Sequence, residues 1–277
     1  MPSFERVITM KGFDKDQTPR WQMVPFGGER YVALRDGAAL TVTAVAPLVV
    51  VTEVPVGSVP SDGRAALLPT DRIFRLSGSM IGSTRLQAKT STGVVSVELE
   101  VAVKIRKDLL LTFNFVRDNA GHGTRRRTTS SASWVTTMNS IYNGQANIFI
   151  TLLRSREVTV PHNLGSVVTW GSGAGSEWSK VTALGDGTAS MNFYMVGNYE
   201  QDATPSTDDT DAGTLTGHCL FEDGAGVQVG ETMAHELGHH LGAPDHYDAA
   251  RRHHLMHGIT DARGWHLPKQ DVNVMNP

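Results

Sequence analysis

The sequence predicts two domains: an all-β sandwich over residues 1–105 and an α+β domain with a mixed sheet over residues 106–277. Three observations lead to this prediction. Short apolar runs that alternate with polar residues, separated by turn residues, fill the first hundred positions. From residue 107 onward, apolar strand-like runs alternate with stretches of helical periodicity. One of these helical stretches carries two histidines four residues apart, a spacing typical of a metal site on a helix.

The first domain is predicted from strands with a period of two. The run over residues 94–103 shows this period most clearly, because every second position from Val95 onward is apolar. Asp36-Gly37 and Thr92-Gly93 mark tight turns between the runs. The candidate strands lie at residues 30–35, 40–45, 49–54, 73–76 and 94–103.

The segment from Gly78 to Ala88, followed by the valine-rich last strand, resembles bacterial immunoglobulin-like domains. The resemblance extends over residues 28–105. It implies an immunoglobulin-like sandwich that serves as an accessory domain, with a docking partner as the expected role.

The second domain is predicted to begin with a β-α-β unit. Two apolar strands at residues 109–116 and 147–153 flank a helix over 132–145, whose apolar residues recur at helical spacing. Such a helix returns the chain to a neighbouring parallel strand. The later elements are expected as strands at 191–196 and 218–222, a helix at 227–241 and a short helix after 261, with a glycine-rich run at 171–176 and an acidic run at 208–211 as loops.

The segment His235-Glu236-Leu237-Gly238-His239 contains the candidate metal ligands and the candidate general base. Four helical residues turn the chain by about 400°, so His235 and His239 lie one turn apart on the same face. Both imidazoles can therefore reach one metal ion, whereas Glu236 lies beside the ion and stays free to accept a proton. Gly242 is expected to end the helix in a left-handed conformation, and Pro244 prevents the helix from resuming.

The extended motif, His235-Glu236-x-x-His239-x-x-Gly242-x-x-Asp245, resembles the metzincin zinc metallopeptidases, and within them a snapalysin-like group that has aspartate at its last position. The resemblance implies a Zn²⁺ ion held by His235, His239 and Asp245 with Glu236 as the general base. His246 follows directly, and a change of path by one residue would make it the third ligand instead of Asp245.

A second family feature follows the motif. Leu255-Met256-His257-Gly258 resembles the methionine turn that metzincins place beneath the zinc. Some members have a tyrosine two residues after this methionine, and here that position is Gly258. The auxiliary donor is therefore absent or supplied elsewhere; Tyr247 is open to two interpretations, a substrate hydrogen bond or simple packing.

The composition is that of a globular protein whose positive and negative charges nearly balance. Apolar residues make up 40% and charged residues 19% of the chain, and the formal net charge is −3, so neither nucleic acid nor a membrane is predicted as a partner. Cys219 is the only cysteine, which excludes an intrachain disulfide and favours folding in a reducing compartment. The start of the sequence shows no secretion signal, so we expect cytoplasmic synthesis.

Taken together, these features predict a zinc-dependent endopeptidase with a protein or peptide substrate. The substrate strand is expected to pair with a sheet edge, for which residues 191–196 are the candidate. Export by a signal-independent route, as a bacterial effector or toxin, is a further hypothesis. Two alternatives stay open: a non-catalytic binding protein with a structural or degenerate zinc site, and a zinc peptidase of another clan whose third ligand is a distant glutamate.

Overall fold

The computed structural model describes residues 1–169, 176–200, 212–215, 217–224, 228–258 and 263–277. The chain is a mixed α/β protein in which strands predominate. It divides into two compact units, one formed by residues 1–107, 141–148 and 265–277 and the other by residues 108–140 and 149–264. The glycine-rich run (except Ser176) and the acidic run lie outside the described residues. The predicted domain boundary after residue 105 stays a prediction.

The first unit contains nine strands in two sheets. The strands are β1 Ser3–Arg6, β2 Phe13–Asp14, β3 Arg20–Pro25, β4 Glu29–Arg35, β5 Thr41–Ala44, β6 Val49–Val54, β7 Arg72–Gly78, β8 Gly82–Lys89 and β9 Val95–Lys104. One sheet has the order β1-β4-β7-β6 and the other β2-β3-β9-β8-β5. All pairs are antiparallel except β3 with β9, which is parallel. The five predicted strands are present as β4, β5, β6, β7 and β9.

The larger of two hydrophobic clusters in this unit joins the two sheets. Leu34 and Leu76 from one sheet and Leu86, Leu99 and Val101 from the other belong to the same buried cluster. The period-two pattern explains this arrangement, because alternate side chains of each strand point to the same face. The first unit therefore buries one face of each sheet.

The described residues from 107 onward add seven strands and four α-helices. In chain order they are β10 Lys107–Asp118, α1 Ser131–Ala146, β11 Ile148–Val160, β12 Val168–Thr169, α2 Glu177–Thr182, β13 Met191–Val196, β14 Tyr199–Glu200, β15 Ala212–Leu215, β16 His218–Glu222, α3 Val229–His240 and α4 Lys269–Met275. Short 3-10 helices lie at Val56–Ser58, Thr128–Ser130 and Ala249–Arg251. Among the described residues, no helix has both the length and the apolar character needed to cross a membrane.

The main sheet of the second unit has the strand order β11-β10-β13-β16-β15. β13 is parallel to both β10 and β16, and β15 is antiparallel to β16. The three parallel strands therefore end at the same edge of the sheet, at Asp118, Val196 and Glu222. A small parallel pair, β12 with β14, lies apart from this sheet.

The proposed substrate-pairing edge at residues 191–196 is wrong. These residues form β13, which lies in the middle of the sheet and is buried at all six positions. A strand that is buried along its whole length is typical of a parallel sheet covered on both faces, and a strand paired on both sides has no free edge. Among the described strands, the edge beside β16 is β15.

Candidate metal centre

The helix α3 ends as the sequence predicts, in a glycine turn. Gly242 has φ +96°, and its N–H donates to the carbonyl of His239 at 2.9 Å. The N–H of Ala243 donates to the carbonyl of Gly238 at 3.0 Å. These two bonds form a Schellman motif, which satisfies the last helical carbonyls and reverses the chain. The reversal carries Asp245 back to the face of the helix that bears the two histidines.

Three predicted ligand atoms converge on one point. Nε2 of His235 lies 3.0 Å from Nε2 of His239 and 3.2 Å from Oδ1 of Asp245. Nε2 of His239 lies 3.5 Å from the same Oδ1. His235 is almost fully buried, and the other two side chains are about a quarter exposed. The three side chains form a group that could hold a metal ion.

Backbone carbonyls fix the tautomer of both histidines. Nδ1 of His235 lies 2.9 Å from the carbonyl oxygen of Leu255, and Nδ1 of His239 lies 2.9 Å from that of Ala243. A carbonyl can only accept, so in each neutral ring Nδ1 carries the proton and Nε2 presents a lone pair. When both rings are neutral, two nitrogen lone pairs and a carboxylate oxygen therefore face each other without a hydrogen atom between them.

The geometry of these three atoms fits a tetrahedral zinc ion. Ligand distances of about 2.0–2.2 Å in a tetrahedron place neighbouring ligand atoms about 3.3–3.6 Å apart. The observed separations of 3.0, 3.2 and 3.5 Å lie close to that range. Oδ1 of Asp245 is buried and accepts no hydrogen bond from the residues that the structure describes. A bound cation would satisfy this oxygen and both nitrogens at once.

The close contact of these three side chains also shifts their pKa values. Burial acts to raise the pKa of Asp245, but the two imidazoles outweigh this effect and hold that pKa well below its usual range. Burial acts to lower the pKa of His239, yet the contact with Asp245 and the charge of Glu236 raise it overall. The site therefore keeps a carboxylate anion beside imidazoles that bind either a proton or a metal.

Of the two candidates for the third ligand, the structure brings Asp245 to the histidine pair. His246 is buried, but its Nδ1 lies 3.4 Å from the guanidinium of Arg251, and it is absent from the converging group of described residues. Its backbone has a different role. The N–H of His246 donates to the carbonyl of Met256 at 2.7 Å, and its carbonyl accepts from Gly258 at 3.0 Å. This pairing fixes the loop that presents Asp245.

Met256 lies at the centre of a buried turn. Leu255 and Met256 are both fully buried, and the N–H of His257 closes the turn on the carbonyl of His254 at 3.3 Å. The carbonyls of Leu255 and Met256 hold the His235 ring and the His246 backbone respectively. The turn thus supports both the helix and the loop that supply the converging atoms.

Glu236 is held by a residue that sequence analysis missed. Oε2 of Glu236 accepts a hydrogen bond of 2.6 Å from the hydroxyl of Thr214 on β15. The Glu236 residue is only 6% exposed, so its carboxylate has little contact with bulk water. Thr214 lies 22 residues earlier in a short strand, and no local sequence signal connects it with the motif.

Tyr247 occupies the space that a side chain at position 258 would need. A Cβ atom added to Gly258 would lie 2.5 Å from Cε1 of Tyr247. The Tyr247 hydroxyl donates to Oδ2 of Asp245 at 3.1 Å, and the charge of Asp245 raises the pKa of this phenol. Since the residue is 69% exposed, its ring faces solvent beside the converging group.

Comparisons with known proteins give little further information. No family model matches the chain, and no curated protein matches it. One similar solved structure is that of the titin domains Z1Z2 in complex with telethonin, with 14% identity and a TM-score of 0.19. The match covers 41% of this chain and 57% of that one. A likeness this low carries no argument about fold or function.

Proposed function

We propose that the chain is a zinc-dependent endopeptidase of the metzincin type, with an immunoglobulin-like sandwich as its first domain. The observation that carries the proposal is the convergence of His235, His239 and Asp245 beside the buried carboxylate of Glu236. Two supporting features are the Schellman turn at Gly242 and the buried turn at Met256. Each of them matches an expectation drawn from the motif.

In this proposal His235, His239 and Asp245 hold the zinc ion. When bound, zinc lowers the pKa of a coordinated water and polarises the substrate carbonyl. Glu236 accepts the proton from the attacking water and passes it to the nitrogen of the leaving amine. The Thr214 hydroxyl occupies Oε2 of Glu236, which leaves Oε1 to accept the proton. Because the carboxylate is buried and held, it needs little reorganisation during the reaction.

The edge strand β15 is the proposed platform for the substrate. It pairs with β16 on one side, and among the described strands none pairs with its other side. An extended peptide can add to such an edge by main-chain hydrogen bonds. Since Thr214 on this strand contacts Glu236, a peptide paired with β15 would lie next to the general base. The first domain would then supply docking to a partner.

The experiment compares the zinc-loaded protein with its Glu236→Gln variant on an unfolded protein substrate, with bound zinc measured in parallel. Glu231→Gln is the matched control, because Glu231 lies in the first turn of the same helix, outside the converging group. We expect cleavage by the wild type and the control, and at least a hundredfold slower cleavage by Glu236→Gln with one zinc still bound.

Two results would redirect the proposal. Full activity of Glu236→Gln would remove this residue as the general base. A protein that binds one zinc per chain and cleaves nothing, in any of the three forms, would favour a binding protein with a structural zinc site.

A further inference from the structure

A crevice of about 590 Å³ opens in the second unit, where the parallel strands β10, β13 and β16 end. Clefts of roughly 300–1,000 Å³ are typical of sites for small ligands, and the carboxyl edge of a parallel sheet is where such sites form. None of the lining residues belongs to the candidate metal centre.

The floor of the crevice is apolar. Val116, Leu164, Val168 and Val196 line it, and each is at most 5% exposed. They belong to the buried cluster that packs between the sheet and α2. A ligand that enters the crevice therefore meets the edges of aliphatic side chains, which suit an apolar group.

One rim carries a histidine that is held in a single orientation. Nδ1 of His122 lies 2.8 Å from Oδ2 of Asp118, whose side chain is 1% exposed. Asp118 also accepts from the backbone N–H groups of Ala120, His122 and Leu164. Burial acts to raise the pKa of Asp118, but these bonds outweigh it and lower that pKa to about 2. The Asp118 carboxylate is thus engaged by groups of the protein itself, and in the neutral ring Nε2 of His122 is left to accept a hydrogen bond.

The same rim carries a cation that no described residue neutralises. The backbone N–H of Arg125 and the hydroxyl of Thr124 both donate to the carboxylate of Asp223. The guanidinium of Arg126 binds the carbonyls of Glu222 and Asp223. These contacts fix the loop that contains Arg125 and engage the carboxylate of Asp223. Among the described residues, the guanidinium of Arg125 has no hydrogen bond or ion pair. Arg125 therefore brings to the crevice a guanidinium with no hydrogen-bond or ion-pair partner among the described residues, on a rim that also carries the Asp223 carboxylate.

We infer that this crevice binds the carboxylate of a small aliphatic acid, with the guanidinium of Arg125 on the carboxylate and the aliphatic group on the valine and leucine floor. The planar guanidinium of arginine matches a carboxylate with two parallel hydrogen bonds. A polyanion such as a nucleotide would need more cations than this rim supplies. The carboxylate has two possible sources, a free branched-chain acid or the C-terminal residue of a peptide. The inference does not depend on the proposed peptidase activity.

The test measures binding to the full-length protein by isothermal titration calorimetry with three probes. N-acetyl-leucine represents a peptide C-terminus, 4-methylpentanoate represents a free acid, and N-acetyl-leucinamide has the same shape without the charge. Each titration is run on metal-free and zinc-loaded protein, because a carboxylate can also bind a zinc ion. We expect saturable binding of at least one acid, equal with and without zinc, and at least tenfold weaker binding of the amide.

Three variants locate the binding. Arg125→Gln removes the unpaired cation and is expected to weaken binding at least tenfold. Arg127→Gln removes an exposed cation of the same loop that does not line the crevice, and is expected to change binding less than twofold. Ser166→Phe narrows the mouth without a change in charge and is expected to abolish binding.

The remaining outcomes are equally clear. Tighter binding of N-acetyl-leucine than of 4-methylpentanoate assigns the site to peptide C-termini, and the reverse assigns it to free acids. The inference fails if neither acid binds, if binding requires zinc, if the amide binds as tightly as the acid, or if Arg127→Gln weakens binding as much as Arg125→Gln.

Discussion

Replacing Thr214 with valine removes one hydroxyl and retains the shape of the side chain. In the structure this hydroxyl lies 2.6 Å from Oε2 of Glu236, within the range of a hydrogen bond to an ionised carboxylate. A bond of this kind contributes roughly 1.5–3 kcal/mol. Because Glu236 is only 6% exposed, water has little room to replace the lost donor.

The expected loss of stability is therefore about 1–3 kcal/mol, the cost of leaving a buried acceptor unsatisfied. For catalysis, the released carboxylate is free to turn away from the attacking water. A misplacement of about 1 Å lowers rates by up to about a hundredfold. We therefore expect kcat of the Thr214→Val protein to fall between about tenfold and a hundredfold, with KM nearly unchanged, since Thr214 acts through Glu236.

Two measurements separate these effects. Urea unfolding of the metal-free protein gives the change in stability, and steady-state cleavage of a peptide at saturating zinc gives kcat and KM. Thr214→Ser is the matched control, because it restores the donor, and it should recover most of kcat. Unchanged stability and unchanged kcat in Thr214→Val would show that this hydrogen bond does not position Glu236. If the wild type has no peptidase activity, the stability measurement still tests the contact.

Three further predictions follow from the same contacts. Asp245→Asn should weaken zinc binding, measured by chelator competition, by more than the roughly 10–100-fold that is typical when a residue next to a metal ligand is replaced. If His246→Ala weakens zinc binding more than Asp245→Asn does, His246 is the third ligand. Met256→Ala should cost about 2–5 kcal/mol in urea unfolding, because the side chain is fully buried, and a loss under 1 kcal/mol would contradict its tight packing. Asp118→Asn should lower the free energy of unfolding at pH 7. The difference from wild type should shrink as the pH falls from about 4 to about 2, because the pKa of Asp118 is lower in the folded than in the unfolded protein. A difference in unfolding free energy that does not change with pH would contradict an ionised Asp118 carboxylate.

Sequence reasoning was most successful where the signal is local. The four-residue spacing of His235 and His239, and the glycine that ends their helix, are properties of a short stretch of chain, and helix geometry determines their consequences. The strand at 94–103 was predictable for the same reason, because its period of two is visible in ten residues.

The parts that sequence reasoning missed depend on contacts between distant segments. β15 has the sequence Ala-Gly-Thr-Leu, in which threonine is the one residue type enriched in strands and glycine and alanine are depleted there, so the sequence does not mark it as the edge of the sheet. The contact of Thr214 with Glu236 spans 22 residues. The crevice is assembled from the ends of three strands and the loops that follow them, and only the sheet order brings these together.

The turn at Gly242 also affects the order in which the chain can fold. All three converging atoms come from the eleven residues between His235 and Asp245, so closing this short loop costs little chain entropy. The donor to Glu236 arrives from a strand outside that loop, and its contact requires the sheet to be assembled. In the proposed zinc site, the three ligand atoms are therefore brought together by contacts of low sequence separation, whereas the proposed general base is placed by the tertiary fold. A partly unfolded chain should for this reason lose the proposed peptidase activity before it loses its zinc.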